Sequence, residues 1–253
     1  MIFDTHAHYD DEDFDLDRDE LLLGMKAAGV SHIVNIGASL ESTKRSLELA
    51  KKYDFIYAAV GVHPSDTTEL NEETFSWLKQ QCKEEKVVAV GEIGLDYYWD
   101  EPDRAIQKEW FARQIALGRE EKLPLVIHSR DAAADTIDIM KSEKAEEAGG
   151  ILHCFSYTKE TAKIFLDMDF SFGIGGVITF KNAKASECIM LVPNDRILIE
   201  TDSPYLSPEP YRGTRNTSTN VIEVAKKISE VKECSLEEIA KITYDNAKKI
   251  YKI

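Results

Sequence analysis

Met1-Ile2-Phe3-Asp4-Thr5-His6-Ala7-His8 is an apolar run that ends in two histidines one residue apart. Read as a strand, it sends alternate side chains to opposite faces, so His6 and His8 project from the same side, close enough to grip one metal ion. Two surface imidazoles fit the same eight residues. What separates the readings is the rest of the chain, where residues able to bind metal end four later strand-like segments.

Short apolar, β-branched runs recur at Ile2–Thr5, Ser31–Ile36, Ile56–Val62, Val87–Ile93, Leu125–His128, Ile151–Cys154, Phe170–Gly173 and Ile197–Thr201. Amphipathic stretches alternate with them, at Arg18–Ala28, Ser42–Lys52, Glu72–Glu84, Arg104–Lys122, Asp131–Glu146, Lys159–Asp167 and Ala183–Leu191, and Thr219–Val231 and Leu236–Tyr251 close the chain. Eight strand-then-helix units predict an α/β fold, a parallel sheet closed into a (β/α)8 TIM barrel; an open doubly wound sheet is the competing topology. No linker or repeat divides the 253 residues, so the expectation is a single domain over 1–253.

The formal net charge of −15 argues against non-specific binding to nucleic acid or to an anionic membrane, so an anionic substrate must be held locally, by metal ions or a few arginines. Cys82, Cys154, Cys188 and Cys234 form no C-x-x-C pair, which points to reduced thiols rather than a zinc knuckle or a disulfide framework. No stretch resembles a membrane span, and the N-terminus enters a strand without a secretory signal. A cytoplasmic protein is expected.

In a barrel, chemistry sits at the C-terminal ends of the strands. Those ends carry His6 and His8, His63, Glu92 and Asp96, His128 and Arg130, His153, and Asp202. Only His32 falls at the opposite end, where a structural role is expected. Imidazoles and carboxylates together suit divalent ions such as zinc, manganese, iron or magnesium. His6, His8, Glu92, His128, His153 and Asp202 exceed what one catalytic ion needs, which suggests two, with Glu92 placed to bridge them and Asp202 able also to take the nucleophile's proton. Buried polar residues satisfied by hydrogen bonds would account for one or two of the six, not for all at matching strand ends. By strand parity Cys154 faces away from His153 into the core, and Asp4 shares the parity of His6 and is expected to orient an imidazole.

The segments Phe3-Asp4-Thr5-His6-Ala7-His8, Gly61-Val62-His63-Pro64, Gly91-Glu92-Ile93-Gly94-Leu95-Asp96-Tyr97, His128-Ser129-Arg130, His153-Cys154-Phe155-Ser156 and Glu200-Thr201-Asp202-Ser203-Pro204-Tyr205 resemble, in order, those of the TatD family of metal-dependent hydrolases. The resemblance implies a TIM barrel of the amidohydrolase superfamily and a two-metal site. It also implies deoxyribonuclease activity, often described as 3′-to-5′ exonuclease on single-stranded DNA. By position it implies His6, His8 and Asp202 on one ion, His128 and His153 on the other, and Glu92 between. One departure is visible. The family's late loop usually reads Arg-Gly-x-Arg-Asn-Glu-Pro, whereas Arg212-Gly213-Thr214-Arg215-Asn216 continues here as Thr217-Ser218, which bears on substrate contacts and not on the metal site.

Around the ions, Arg130, Arg212 and Arg215 suit phosphate oxygens, or else pair with neighbouring carboxylates and cap loops. His63 is placed to donate to a phosphate or the leaving oxygen, or to make a structural hydrogen bond. Asp96 either supports the site or fixes its loop. Tyr97, Tyr98 and Trp99 are candidates for base stacking or for packing at the barrel top. The acidic run from Asp10 to Asp19 is not a calcium loop, since Leu16 and Leu22 stand where the glycine and the bidentate glutamate belong. Gly173-Ile174-Gly175-Gly176 lacks the third glycine of a dinucleotide fingerprint. Three functions compete: a nuclease acting on DNA ends, a hydrolase of a small ester, lactone or amide, and a barrel that binds without turnover. Turnover across a substrate panel separates them.

Overall fold

A computed structural model describes residues 1–99, 101–181, 183 and 185–253. Strands β1 (Ile2–Ala7), β2 (Val30–Ile36), β3 (Ile56–Val60), β4 (Val87–Asp96), β5 (Leu125–Arg130), β6 (Gly150–Leu152), β7 (Ser171–Ile174) and β8 (Ile197–Ile199) pair in parallel, each with the next. Past the end of β8 the ring is joined to β1 by a parallel bridge between Ala7 and Ser203. There Asp202 N–H donates to His6 O (2.9 Å) and His8 N–H to Ser203 O (2.7 Å). This is the (β/α)8 TIM barrel that the alternating pattern predicts.

Outside the ring lie α1 (Arg18–Gly24), α2 (Leu40–Lys52), α3 (Glu72–Gln81), α4 (Arg104–Glu121), α5 (Ala133–Ser142), α6 (Lys159–Asp167), α7 (Ala185–Leu191), α8 (Val221–Lys232) and α9 (Leu236–Tyr251). The strands read as near-continuous apolar runs because helices cover one face and the barrel interior fills the other; β4 is buried at all ten of its positions. Helix starts are set locally by side chains that accept otherwise unpaired backbone N–H groups: Ser39 before α2, Asn71 in a capping box with Thr74 before α3, and Ser235 before α9.

Several boundaries differ from the pattern. The first helix stops at Gly24 instead of Ala28, glycine being a poor helix former, and the chain turns through Gly29 at φ 89°. The expected helix 131–146 begins at Ala133, after Asp131 adopts a left-handed φ of 53°, and ends at Ser142 before a short 3₁₀ turn. Residue 184 of the helix expected over 183–191 lies outside the described residues. β6 and β8 end before His153 and Asp202, where the chain swings through left-handed φ at Cys154 (45°) and Asp202 (57°). Both histidine and aspartate therefore sit on turns that aim them back over the barrel mouth. His32, at the far end, stacks on Phe3 with ring centroids 5.1 Å apart. Among the described residues no helix is long and apolar enough to cross a membrane.

Candidate metal centre

The six residues singled out at the strand ends converge on Glu92, which is 4% exposed at the centre of the barrel mouth. Its Oε2 faces β1, 3.3 Å from His6 Nε2 and 3.7 Å from His8 Nε2. Its Oε1 faces the other way, 2.8 Å from His128 Nδ1 and 3.6 Å from His153 Nε2. Asp202 Oδ1 lies 3.3 Å from His8 Nε2 and 3.6 Å from His6 Nε2. His153 stands between the two groups, its ring stacked on that of His6 at 3.6 Å. β4 can run this close to β5 because Gly94 has no side chain: a Cβ there would come within 1.9 Å of His128 O.

Several of these rings are held from behind. His8 Nδ1 lies 3.0 Å from Ile36 O, which keeps a proton on Nδ1 and makes Nε2, facing the site, the nitrogen that offers a lone pair once its own proton is lost. His128 Nε2 lies 3.2 Å from Asp96 Oδ2, so Asp96 supports a candidate ligand. The Asp96 backbone is in turn fixed by Gln107 of α4, whose amide accepts from Asp96 N–H (3.0 Å) and donates to Asp96 O (3.1 Å).

Glu200 is the residue that strand parity and spacing missed. It is 1% exposed, accepts Cys154 N–H (2.6 Å) and lies 2.9 Å from His153 Nδ1, although the alignment is poorer than that of a hydrogen bond and Nδ1 has no other partner. A glutamate two positions before Asp202, on a strand otherwise apolar, is the signal that would have found it.

Two expectations need correction. Asp4 does not orient the His6 ring, whose Nδ1 has no partner; it accepts from the backbone N–H groups of His6 (3.3 Å) and Thr201 (3.0 Å) and from the hydroxyls of Thr201 (2.6 Å) and Ser218 (2.5 Å). It therefore braces the turn that carries Asp202. Cys154 is not a strand residue pointing into the core, because the chain has left strand geometry at its left-handed φ; its thiol belongs with His153 and Glu200, and burial pushes it well above the usual thiol range.

Burial opposes charge throughout, and the pairings decide the outcome. At His8 the Asp202 and Glu92 carboxylates outweigh burial and carry the imidazole up to about 9. At His153 Glu200, Glu92 and Asp202 do the same, up to about 10. His128 is raised against burial by Asp96 and Glu92, whereas burial and the neighbouring His153 lower His6. Burial would raise Glu92, yet the charges of His153 and His6 and the hydrogen bond from His128 hold it well below the usual carboxylate range. Asp202 is lowered in the same way, against burial, chiefly by His153 and His8.

The donor set fits a divalent cation. His6 Nε2 and His8 Nε2 lie 3.1 Å apart, so without an ion one ring donates to the other, and both nitrogens also face Glu92 Oε2 and Asp202 Oδ1 within 3.7 Å. A shared cation satisfies both, and buried imidazoles with carboxylates are the ligands zinc or manganese takes. Donor atoms within 4.8 Å of one another form the groups His6–His8–Glu92, His6–His153–Asp202 and His63–Glu92–His128.

The remaining candidates divide. His63 and Arg130 line the cavity of about 680 Å³ over the site, together with Asp96, Trp99 and Tyr205. Among the described residues Arg130 makes no ion pair; its guanidinium lies 3.8 Å from the Tyr98 ring centroid. Arg212 and Arg215 do not line that cavity. Arg212 stacks on Phe180 (3.8 Å), and Arg215 forms a two-pronged pair with Asp17 (2.9 and 2.5 Å), so each fastens a loop. At the departure in the late loop, Ser218 is buried and bonds Asp4 and Tyr9.

Relatives share this scaffold. A family model described as TatD related DNase matches residues 3–252. The chain is 48% identical over 254 residues to the uncharacterized metal-dependent hydrolase YabD of Bacillus subtilis (strain 168), covering 100% of both chains. It is 36% identical over 260 residues to the uncharacterized metal-dependent hydrolase YcfH of Escherichia coli (strain K12), covering 100% of this chain and 96% of that one. The crystal structure of YJJV, a TatD homologue from Escherichia coli K12, matches with a TM-score of 0.94 at 29% identity, over 100% of this chain and 98% of the other. Histidines and carboxylates gathered at the mouth of a barrel, on a chain matched from end to end by these hydrolases, place the protein in the TatD family of metal-dependent hydrolases.

Proposed function

We propose that the protein is a deoxyribonuclease that hydrolyses phosphodiester bonds at DNA ends, acting 3′ to 5′ on single strands in the cytoplasm, with two divalent ions of magnesium, manganese or zinc. The observation that carries this reading is the division of Glu92, whose Oε2 turns to His6 and His8 and whose Oε1 turns to His128 and His153. A carboxylate split between two imidazole groups is suited to bridge, with His6, His8 and Asp202 on one side and His128 and His153 on the other. Bound there, two ions would lower the pKa of an attacking water and neutralise charge growing on the phosphate. The match to a family described as TatD related DNase supports the choice of substrate.

The side chains around the ions then have separable tasks. Asp202, held ionised, receives the proton of the attacking water. His63 Nδ1 accepts Ser65 N–H (3.2 Å), so the proton of the neutral ring sits on Nε2, which lies 3.9 Å from Glu92 Oε1. Burial and the nearby His128 hold His63 down at about 3, so it remains neutral and donates a hydrogen bond to the leaving oxygen, which takes its proton from solvent water. Arg130 offers its planar fork to the non-bridging phosphate oxygens.

A second reading rests on charge. Asp10, Asp11 and Asp96 line the cavity of a chain with net charge −15, which favours a small neutral ester, lactone or amide on the same site. A time course on end-labelled single-stranded DNA with magnesium or manganese, beside Glu92→Ala and a chelator control, decides between them. The expected result is a ladder shortening from one end, absent in both controls. No cleavage by metal-loaded protein rejects the nuclease in favour of the small ester.

A further inference from the structure

The loop after β4 carries three aromatic residues in a row, and only the first is tied into the barrel wall: Tyr97 Oη donates to Asp135 Oδ2 (2.6 Å). Tyr98 and Trp99 remain 55% and 56% exposed. They are not loose. Their rings meet edge to face, with centroids 4.8 Å apart at 89°, and the Arg130 guanidinium lies 3.8 Å from the Tyr98 centroid. Trp99 and Arg130 both line the cavity that holds Glu92. From the loop after β8, Tyr205 lines the same cavity, 51% exposed, its hydroxyl donating to Asp11 Oδ2 (2.6 Å).

Charge alone does not explain how such a cavity would hold a nucleotide. The chain is strongly acidic, and among the described residues Arg130 is the one arginine or lysine lining this space. Ions and Arg130 would hold the phosphate, and affinity for the rest of the nucleotide must then come from contacts that acidity does not weaken. An aromatic face supplies this, since every base has a π-face to stack on it. A flat, exposed indole beside an arginine matches a base joined to a phosphate.

We propose that Trp99, braced by Tyr98 and Arg130, is a nucleobase-stacking subsite that receives the base of the nucleotide whose phosphate reaches the metal centre. The assignment rests on the phosphodiesterase reading, and it makes base-bearing substrates the preferred class over plain phosphodiesters.

Two measurements test it. Calorimetry on the metal-loaded protein compares thymidine 5′-monophosphate with deoxyribose 5-phosphate. The nucleotide should bind about tenfold tighter, the difference disappearing in Trp99→Ala and returning in Trp99→Phe. Equal binding of the two ligands by the wild type, or a difference that survives Trp99→Ala, overturns the subsite. Kinetics compare the p-nitrophenyl ester of thymidine 5′-monophosphate with methyl p-nitrophenyl phosphate. The ratio of their kcat/KM values should fall about tenfold in Trp99→Ala and recover in Trp99→Phe; an unchanged ratio counts against the proposal. If the wild type cleaves neither ester, the phosphodiesterase reading fails, and the calorimetric comparison still decides whether Trp99 holds a base.

Discussion

Glu200 Oε1 reaches across β7 to within 2.9 Å of His153 Nδ1, through space that Gly173 leaves open. A Cβ on Gly173 would lie 2.0 Å from Glu200 Oε2, so the glycine and the glutamate depend on each other. A carboxylate behind a ligating histidine fixes the ring's orientation and raises its basicity.

Glu200→Gln should therefore weaken metal binding on the His153 side by about 10–100-fold while the barrel stays folded. Competition against a chelator, with thermal unfolding as the control for the fold, measures this. Unchanged metal affinity would mean that Glu200 only fills space.

Metal loading should be strongly pH-dependent. His8 and His153, at about 9 and about 10 in the metal-free protein, are both protonated at neutral pH and must lose those protons to offer lone pairs. Apparent affinity should rise as pH climbs toward these values and fall as it drops. Titrations in buffers of different ionisation enthalpy should show release of about two protons per protein from these rings at neutral pH. No release would contradict the raised values.

Asn35 of β2 fastens the loop that follows His8. It accepts Tyr9 N–H (2.6 Å) and donates to Asp10 Oδ1 (2.7 Å) and Ser46 Oγ (2.8 Å), all in the buried interior. Asn35→Ala leaves those groups without partners and should destabilise the protein by about 2–4 kcal/mol in urea unfolding. A loss below about 0.5 kcal/mol would show that water replaces the amide.

With Arg130 the one arginine or lysine lining the cavity among the described residues, and the histidines deprotonated on bound ions, the affinity for single-stranded DNA should depend weakly on salt. A logarithmic slope near −0.7, that of about one phosphate contact, is expected when ion occupancy is kept saturated. A slope steeper than about −4 would place the DNA on a basic surface elsewhere.

The barrel was legible because apolar runs recur at the strands and amphipathic stretches alternate with them, and α2, α3, α4, α6 and α9 each begin at a side-chain cap, signals that are all local. The convergence of His6 and His8 was legible for the same reason, since strand parity alone puts their Nε2 atoms on one side, 3.1 Å apart. Parity failed at Cys154, where a left-handed turn replaces strand geometry, and such a turn leaves no periodic mark when the residue is not glycine. Pairings between distant loops were equally hidden. Nothing near Arg215 announces that Asp17, 198 positions earlier, holds it. The role of Asp4 was misjudged because its partners, Thr201 and Ser218, are brought to it only by closure of the ring.

That closure has a consequence for the order of events on the ribosome. The bridge from Ala7 to Ser203 joins the two ends of the ring beside the candidate ligands, so His6 leaves the exit tunnel long before Asp202 is made. A nascent chain halted before residue 202 already carries five of the six candidate ligands, yet lacks the turn that completes the mouth. The last of the six candidate ligands is thus made together with the turn that closes the ring, and only α8 and α9 follow it among the helices.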